Sequence, residues 1–479
     1  MQAEALRELV AQIQTFHCEM QTIEVKAAHQ GCPQKLYDTL SSFSNQDTGG
    51  TIIFGLDESN GFETVGVYDP QDLQKQVAEQ CKEMEPQVRA LFSVAEIDGM
   101  IVVSAEIPSV DISERPVFYK GRGRLTGSYI RVGDADERMS EYEIYSYEAF
   151  RKRIRDDLRP VSGGKQSLLD ADRLDKYIKE VRKGSANLSA HVNDEELLEL
   201  MGVTVDSVPT IAGVMVFSIY PQGYFPQLCI TAIRVPGKQI GETGSDEERF
   251  IDNRRITGPI HEMVDEAVSF VRRNSRSKTI INAEGKRCDK EEYPLKAVRE
   301  AVLNALVHRD YSIHSENLPV RIEMYEDRME IINSGGLYGR ISIDSLGKVR
   351  PETRNAALAN MLEVLDVTEN RYSGIPTIRS EFQAAGLPAP IFAVRRGEFV
   401  VTFKNDSYQS ELKGNGAAHT EDILEFCSVP RTRDELQQFT GFSRYYTMAH
   451  IVKPLLDQGL LKMTIPEKPK SREQKFIKV

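Results

Sequence analysis

Residues 294–311, PLKAVREAVLNALVHRDY, decide how most of this chain is read. The spacing predicts a helix with two unlike faces. Leu295, Val298, Val302 and Leu306 fall at helical intervals and form an apolar stripe. Glu300, Asn304 and His308 follow one another at intervals of four, so they stack on a different face. Pro294 suits the first helical turn, where its missing N–H is not needed. A carboxylate and an amide one turn apart can share a Mg²⁺ ion, because hard cations take oxygen ligands and keep several waters. The same carboxylate can orient a water for attack on a phosphate. Taken alone, the stretch also fits an amphipathic surface helix.

The sequence that follows argues against so plain a reading. VRIEMYEDRMEIINSGGLYGR (320–340) predicts two strands about a turn at Glu326-Asp327-Arg328, the second running into Asn333-Ser334-Gly335-Gly336. Glycines at a strand end let backbone approach a nucleotide closely. Arg354-Asn355 and then Arg371-Tyr372-Ser373-Gly374-Ile375 come next. Backbone N–H groups of such a loop can cradle phosphate. These motifs, in this order, resemble GHKL-type ATPases, in a divergent branch whose helix ends in HRDY. The resemblance implies Glu300 as the catalytic base and Asn304 as a Mg²⁺ ligand. His308, Asn333, Gly335, Gly336, Arg354, Asn355 and Gly374 join Asn304 in binding ATP. Asn333 stands where GHKL proteins place an Asp that accepts from the adenine amino group. An amide oxygen accepts that bond without the charge. Ala356 replaces the branch's Pro, and the second glycine box has a single Gly.

A second cluster lies near the N-terminus. In CEMQTIEVKA (18–27) alternation puts Glu24 and Lys26 on one face of a strand, with Glu19 five residues before Glu24. Asp57 follows the apolar strand TIIFGL. Two or three carboxylates near a lysine can hold a divalent ion and activate water for phosphodiester cleavage. Glu24 and Lys26 equally fit a surface ion pair, which contributes only ~0–1 kcal/mol. Glu19, Glu24 and Lys26, then Ser42, Phe43, Asn45, Gly49 and Gly50, then Gly55, Asp57 and Glu58, resemble the Schlafen AlbA-2 domain. Nuclease-active members place a carboxylate triad here, which implies Glu19, Glu24 and Asp57 as catalytic residues holding Mg²⁺ or Mn²⁺, with Lys26 beside them.

Composition sets bounds on all of this. The chain has 479 residues, 40% apolar and 28% charged, which fits a soluble multidomain protein. Six scattered cysteines show no zinc spacing and read as reduced thiols of a cytoplasmic protein. The N-terminus lacks the features of a signal peptide, no stretch is long enough to span a membrane, and no membrane partner is expected. A net charge of −12 argues against indiscriminate nucleic-acid binding and leaves room for local basic patches.

The fold class expected is a multidomain mixture of α/β and α+β in four blocks. Residues 1–135 form an AlbA-2-like nucleic-acid-binding domain, 136–290 a middle α/β region, 291–408 the GHKL sandwich and 419–479 a winged-helix module. In the middle region, TIAGVMVFS and QLCITAIRV are expected to pair as a hairpin, with a helix following over 258–273. SYQSELKGNGAAH reads as a linker. Lys120, Arg122, Arg124 and Arg131 surround a glycine-containing turn that can follow a phosphate backbone. In the C-terminal module Thr432 and Glu435 predict a capping box. Arg444, Tyr445, Thr447 and His450 are candidate base readers on a third helix starting near Ser443. Lys468, Lys470 and Arg472 are candidate phosphate contacts in a tail of six basic and two acidic residues. This module resembles the C-terminus of the same bacterial branch.

The leading reading is an ATP-binding regulator, homodimeric or larger, that engages DNA or structured RNA under control of its nucleotide site. A metal-dependent Schlafen-type nuclease gated by ATP, used against phage, is the alternative. A protein-interaction platform is the third.

Overall fold

The apolar run TIIF becomes the centre of a sheet because both of its faces are covered. In a computed structural model, residues 1–244, 247–281, 287–350, 352–368, 373–395, 397–405, 420–440, 447–466, 471 and 474–479 are described. They divide into two units, Met1–Lys152 with Leu412–Val479, and Arg153–Glu411.

In the first unit, α1 (Ala3–Phe16) precedes β1 (Ile23–Lys26), followed by α2 (Tyr37–Asn45), β2 (Gly50–Phe54) and α3 (Pro70–Lys82). Then come β3 (Leu91–Ile97), β4 (Met100–Ile107), β5 (Tyr129–Val132), β6 (Ala135–Arg138) and α4 (Glu141–Lys152). The sheet order is β1-β2-β4-β3. β1 and β2 run parallel with Glu24 opposite Ile52, and the other pairs are antiparallel. Successive strand residues face opposite sides. Ile52 and Phe54 therefore pack with Leu40, Phe43, Leu73 and Val77 of α2 and α3. Ile53 joins Leu6, Val10 and Ile13 of α1 on the other side.

The second unit carries the 294–311 helix. Its labelled elements are α5 (Ile211–Phe217), β7 (Ile230–Arg234), β8 (Asp252–Ile256), α6 (Ile260–Asn274), α7 (Leu295–His308), β9 (Val320–Met324) and β10 (Arg328–Ser334). α8 (Ala356–Val364), α9 (Gly374–Ala384), β11 (Ile391–Arg395) and β12 (Glu398–Lys404) follow. The six strands line up as β8-β7-β9-β10-β12-β11. β7 and β9 are parallel, and the remaining neighbours are antiparallel. β7 and β8 come from the stretch read as a separate middle region, so the sheet runs across the boundary expected at 290. On α7 the buried face is wider than four residues, because Ala297, Ala301 and Ala305 are covered alongside Val298, Val302 and Leu306.

The expected hairpin does not form. QLCITAIRV supplies β7, but the core of TIAGVMVFS is the helix α5, buried at all seven positions. A short unbroken apolar run has no periodicity to separate strand from helix. Local chemistry decided it: Thr210 caps the helix by accepting from the Gly213 N–H.

The C-terminal stretch contains α10 (Thr420–Phe426), α11 (Arg433–Thr440), a π-helical segment Thr447–Val452, α12 (Lys453–Asp457) and an antiparallel pair, β13 (Leu461–Met463) and β14 (Phe476–Lys478). The Thr432–Glu435 capping box forms: Thr432 N–H donates to the Glu435 carboxylate at 2.8 Å, and Glu435 N–H to Thr432 Oγ1 at 3.2 Å. Phe16, the last residue of α1, is buried in this module's core with Ile423, Cys427, Leu436 and Phe476.

Candidate functional site

Helix α7 builds one wall of a cavity of about 830 Å³. Glu300, Asn304 and His308 all face it, as the four-residue spacing requires. Asn304 donates its amide N–H to Glu300 Oε1 at 3.2 Å. Asn333, Gly335 and Gly336 reach the cavity from the end of β10, Arg354 from the approach to α8, and Gly374 from the start of α9.

Two glycines are fixed by close approach. A Cβ on Gly374 would lie 2.3 Å from Glu300 Oε1 and 2.8 Å from Asn304 Nδ2, so the N-terminus of α9 comes directly onto the helix face. Gly335 has φ +98°, a conformation L side chains rarely adopt, and its Cβ would meet Arg354 Nη1 at 2.1 Å. His308 keeps accessible surface where it lines the cavity. The enclosing walls, with the Arg354 cation beside it, push its pKa down to about 4, so the ring is neutral at pH 7.

The rest of HRDY is scaffolding. Arg309 is buried and donates to the carbonyls of Ser315 at 3.0 Å and Leu318 at 2.6 Å. Asp310 accepts from Ser312 N–H at 2.8 Å, and Tyr311 Oη donates to the Leu306 carbonyl at 2.8 Å. Asn355 needs a correction. It is fully buried, and its Nδ2 donates to the carbonyls of Val307 at 2.8 Å and Arg309 at 2.7 Å. It finishes the carbonyl end of α7 and is absent from the cavity lining. Tyr338, Ile341, Leu346 and Val349 also line the cavity, and no motif announces them. Arg371 and Tyr372 lie outside the described residues.

The N-terminal carboxylates do not gather as expected. Glu19 and Glu24 come together around a buried Arg131, whose Nη2 lies 2.8 Å from Glu24 and 3.8 Å from Glu19. Glu24 also pairs with Lys26. Glu19 Oε1 accepts from Val25 N–H at 2.7 Å. Burial, and then the neighbouring Glu24 charge, push the Glu19 pKa up to about 7, and Glu58 adds to the repulsion. Asp57 instead caps the turn after it, accepting from Ser59 N–H at 3.1 Å and Oγ at 2.7 Å. Among the described residues no three His, Cys, Asp or Glu side chains form a group able to hold a metal. In this structure Glu19 and Glu24 are engaged by Arg131 and Lys26, and Asp57 by Ser59, so the three carboxylates do not converge on a common metal position for Mg²⁺ or Mn²⁺. Asn45 of the motif is architectural, donating to the carbonyls of Val117 at 2.9 Å and Tyr129 at 3.1 Å.

Arg131 also departs from expectation. Its side chain is 1% exposed and salt-bridged to Asp136 at 3.0 Å, so it cannot lie on a phosphate backbone. The other three basic residues of that loop each have an acidic neighbour: Lys120 has Glu85, Arg122 has Asp38, and Arg124 has Glu148. His450 falls within the described helical segment Thr447–Val452. Ser443, Arg444, Tyr445, Lys468, Lys470 and Arg472 lie outside the described residues.

With this geometry in view, comparison with known proteins gives a class: an AlbA-type domain joined to an ATPase-like domain. Residues 19–140 match the Schlafen AlbA_2 family. Residues 318–403 match the HATPase_c_4 family, described as "Putative ATP-dependent DNA helicase recG C-terminal". Residues 421–477 match the C-terminal domain of Fic-like proteins, described as filamentation induced by cAMP. The chain thus carries a Schlafen AlbA_2 domain and a RecG-like C-terminal HATPase_c_4 domain. No curated protein matches it. Among solved structures, the DIP2311 protein of Corynebacterium diphtheriae is similar at 15% identity over 99% of this chain and 100% of its own, with a TM-score of 0.39. The N-terminal domain of a RecG-related protein from Nitrosomonas europaea is similar at 24% identity over 28% of this chain and 92% of its own, with a TM-score of 0.23. Among the described residues no helix is long and apolar enough to cross a membrane.

Proposed function

We propose that this protein is an ATP-binding regulator that engages nucleic acid, with nucleotide occupancy of the α7 cavity controlling how its terminal domains hold DNA. The observation that carries the reading is the convergence of Glu300, Asn304, Asn333, Gly335, Arg354 and Gly374 on one cavity from four separate segments. At about 830 Å³ it is within the range of small-molecule sites and can hold a nucleotide. The donor set fits Mg²⁺-nucleotide. Asn304 gives its amide nitrogen to Glu300, so its oxygen is the atom offered to a cation. The N-terminus of α9 would offer the Gly374 and Ile375 N–H groups to phosphate. Bound Mg²⁺ would neutralise phosphate charge. Glu300 would orient the attacking water, Asn333 would accept from the adenine amino group, and the neutral His308 would add no charge of its own.

The C-terminal order of α10, α11, the continuous run Thr447–Val452 and α12, and a two-stranded antiparallel pair supports a winged helix and hence DNA as the partner. The buried pairing of Glu24 with Arg131 favours a binding role over cleavage for the N-terminal domain.

Binding of Mg²⁺·ATP and duplex DNA tests the proposal with wild type and Glu300→Gln. The variant is expected to bind ATP, to lose turnover and to hold the ATP-dependent DNA mobility shift longer. Unchanged ATP turnover in Glu300→Gln would remove Glu300 from the role of base. Metal-dependent cleavage products lost in Glu24→Ala would replace the regulator by a nuclease.

A further inference from the structure

The two edges of the N-terminal sheet are finished differently. On β1, Ile23 N–H donates to the Met20 carbonyl, the Ile23 carbonyl accepts from Arg131 Nη2 at 3.3 Å, and Val25 N–H donates to Glu19 at 2.7 Å. The chain's own groups close that edge. The opposite edge is β3, LFSVAEI, seven residues long. Asp98 and Gly99 turn it into β4 with φ of +53° and +77°, so Ile97 and Met100 close a two-residue hairpin. The closing pair exchanges hydrogen bonds, and by alternation Leu91, Ser93, Ala95 and Ile97 all bond to β4. Phe92, Val94 and Glu96 therefore turn their N–H and C=O groups outward. Among the described residues only the Glu96 carbonyl of these has a partner, Arg7 Nε at 3.3 Å.

Edge strands are normally kept from pairing with other chains by a lysine, a proline, a bulge or shortness. β3 has none of these. Its register on β4 is unbroken and its sole charge is Glu96. Leu91 is 62% exposed and Val94 41%, with the equally exposed Ile101 of β4 diagonal to Val94. The flanking charges say what fits. Exposed Arg89 precedes the strand, and exposed Glu96 and Asp98 end it. A second copy running antiparallel brings the basic start against the acidic end, whereas a parallel copy sets like against like. We propose that β3 is a self-complementary interface through which two copies of this chain join their N-terminal sheets, with a two-fold axis at Val94. Val94 then faces Val94 of the partner subunit, Phe92 faces the partner's Glu96, and Leu91 is covered by the partner's Ile97. Every outward N–H and C=O group of Phe92, Val94 and Glu96 meets its complement in this register. Arg89 comes beside the partner's Asp98, and Arg7 gives up the Glu96 carbonyl. The pairing needs no nucleotide and is independent of the α7 cavity.

Sedimentation velocity of the full chain over a dilution series, with and without Mg²⁺·ATP, tests this on wild type, Val94→Lys and Arg7→Ala. Wild type is expected to dimerise without nucleotide. Val94→Lys sets two ammonium groups opposite each other in place of an apolar pair and should weaken the dimer about 10-fold or more. Val94 is already exposed in the single chain, so the diluted variant should melt like diluted wild type. Arg7→Ala removes the competitor for the Glu96 carbonyl and should leave the dimer as tight or tighter. Crosslinking reads the register. Val94→Cys should join to itself through a short bis-maleimide, because directly paired Cα atoms lie ~5.5 Å apart. Leu91→Cys, which this register holds roughly 20 Å from its copy, should not. Mass spectrometry of the linked peptides separates these products from links through native cysteines. A wild type that stays monomeric at every concentration overturns the proposal. So does a dimer that Val94→Lys leaves intact and Val94→Cys fails to link, which places the pairing elsewhere. A dimer that forms only with Mg²⁺·ATP overturns it too, because it assigns pairing to the nucleotide-binding block.

Discussion

Replacing Glu19 by Gln should make the protein more stable above neutral pH and leave it little changed in acid. Glu19 has an ordinary pKa of 4.5 and is held near 7 in the fold by burial and by Glu24. As pH rises through that window the unfolded chain releases its Glu19 proton first, while the folded protein keeps it. The native state then binds more protons, so stability falls with pH. Full protonation linkage over the two values the carboxyl samples, 4.5 and about 7, corresponds to on the order of 3 kcal/mol at ~1.4 kcal/mol per pKa unit. The Glu19 side chain is 10% exposed, so solvent screening removes only part of this. Glutamine keeps the shape and cannot ionise. Urea denaturation of both proteins at intervals from pH 4.5 to 8.5 gives the difference directly. Wild type should lose stability relative to Glu19→Gln between about pH 4.5 and 7, and the difference should then level off. Parallel curves across that range would refute the reasoning and mean that Glu19 ionises freely.

Three further outcomes are expected. Asn355→Ala leaves the Val307 and Arg309 carbonyls without their buried donor and should cost about 2–3 kcal/mol in chemical denaturation, in line with a structural role. Gly335→Ala combines a φ of +98° with a Cβ at 2.1 Å from Arg354 Nη1. It should either lower the melting temperature by several degrees or displace Arg354 and weaken ADP binding, and a variant normal in both would contradict the geometry. Phe16→Ala opens the core shared by α1 and the C-terminal module. Burial of one such side chain contributes about 1.5–3 kcal/mol, so alkylation of the fully buried Cys427 should accelerate roughly 10- to 100-fold by mass spectrometry. An unchanged rate would mean that Phe16 is not part of that core in solution.

What the chain made legible was local. The four-residue spacing of Glu300, Asn304 and His308 needs only helical geometry to put three side chains on one face, and they share it. The Thr432–Glu435 capping box and the short apolar strand TIIF are likewise written within a few residues, and both appear. The apolar run at 211–217 failed because its pattern carries no period. The roles of Arg131, Asn355 and Arg354 were beyond reach for a different reason. Arg131 meets Glu24 only when distant segments come together, whereas Asp136 faces it across a local strand pair. Asn355 reaches back 48 residues to Val307. Arg354 Nη1 meets no acceptor among the described residues because of what surrounds it, not because of what precedes it in sequence. The sequence by itself determined which residues share a helix face or a cap, because those distances are set by covalent geometry. Only the tertiary structure decided which charges are buried, paired or left open to a ligand, because charge solvation depends on neighbours brought together from distant parts of the chain.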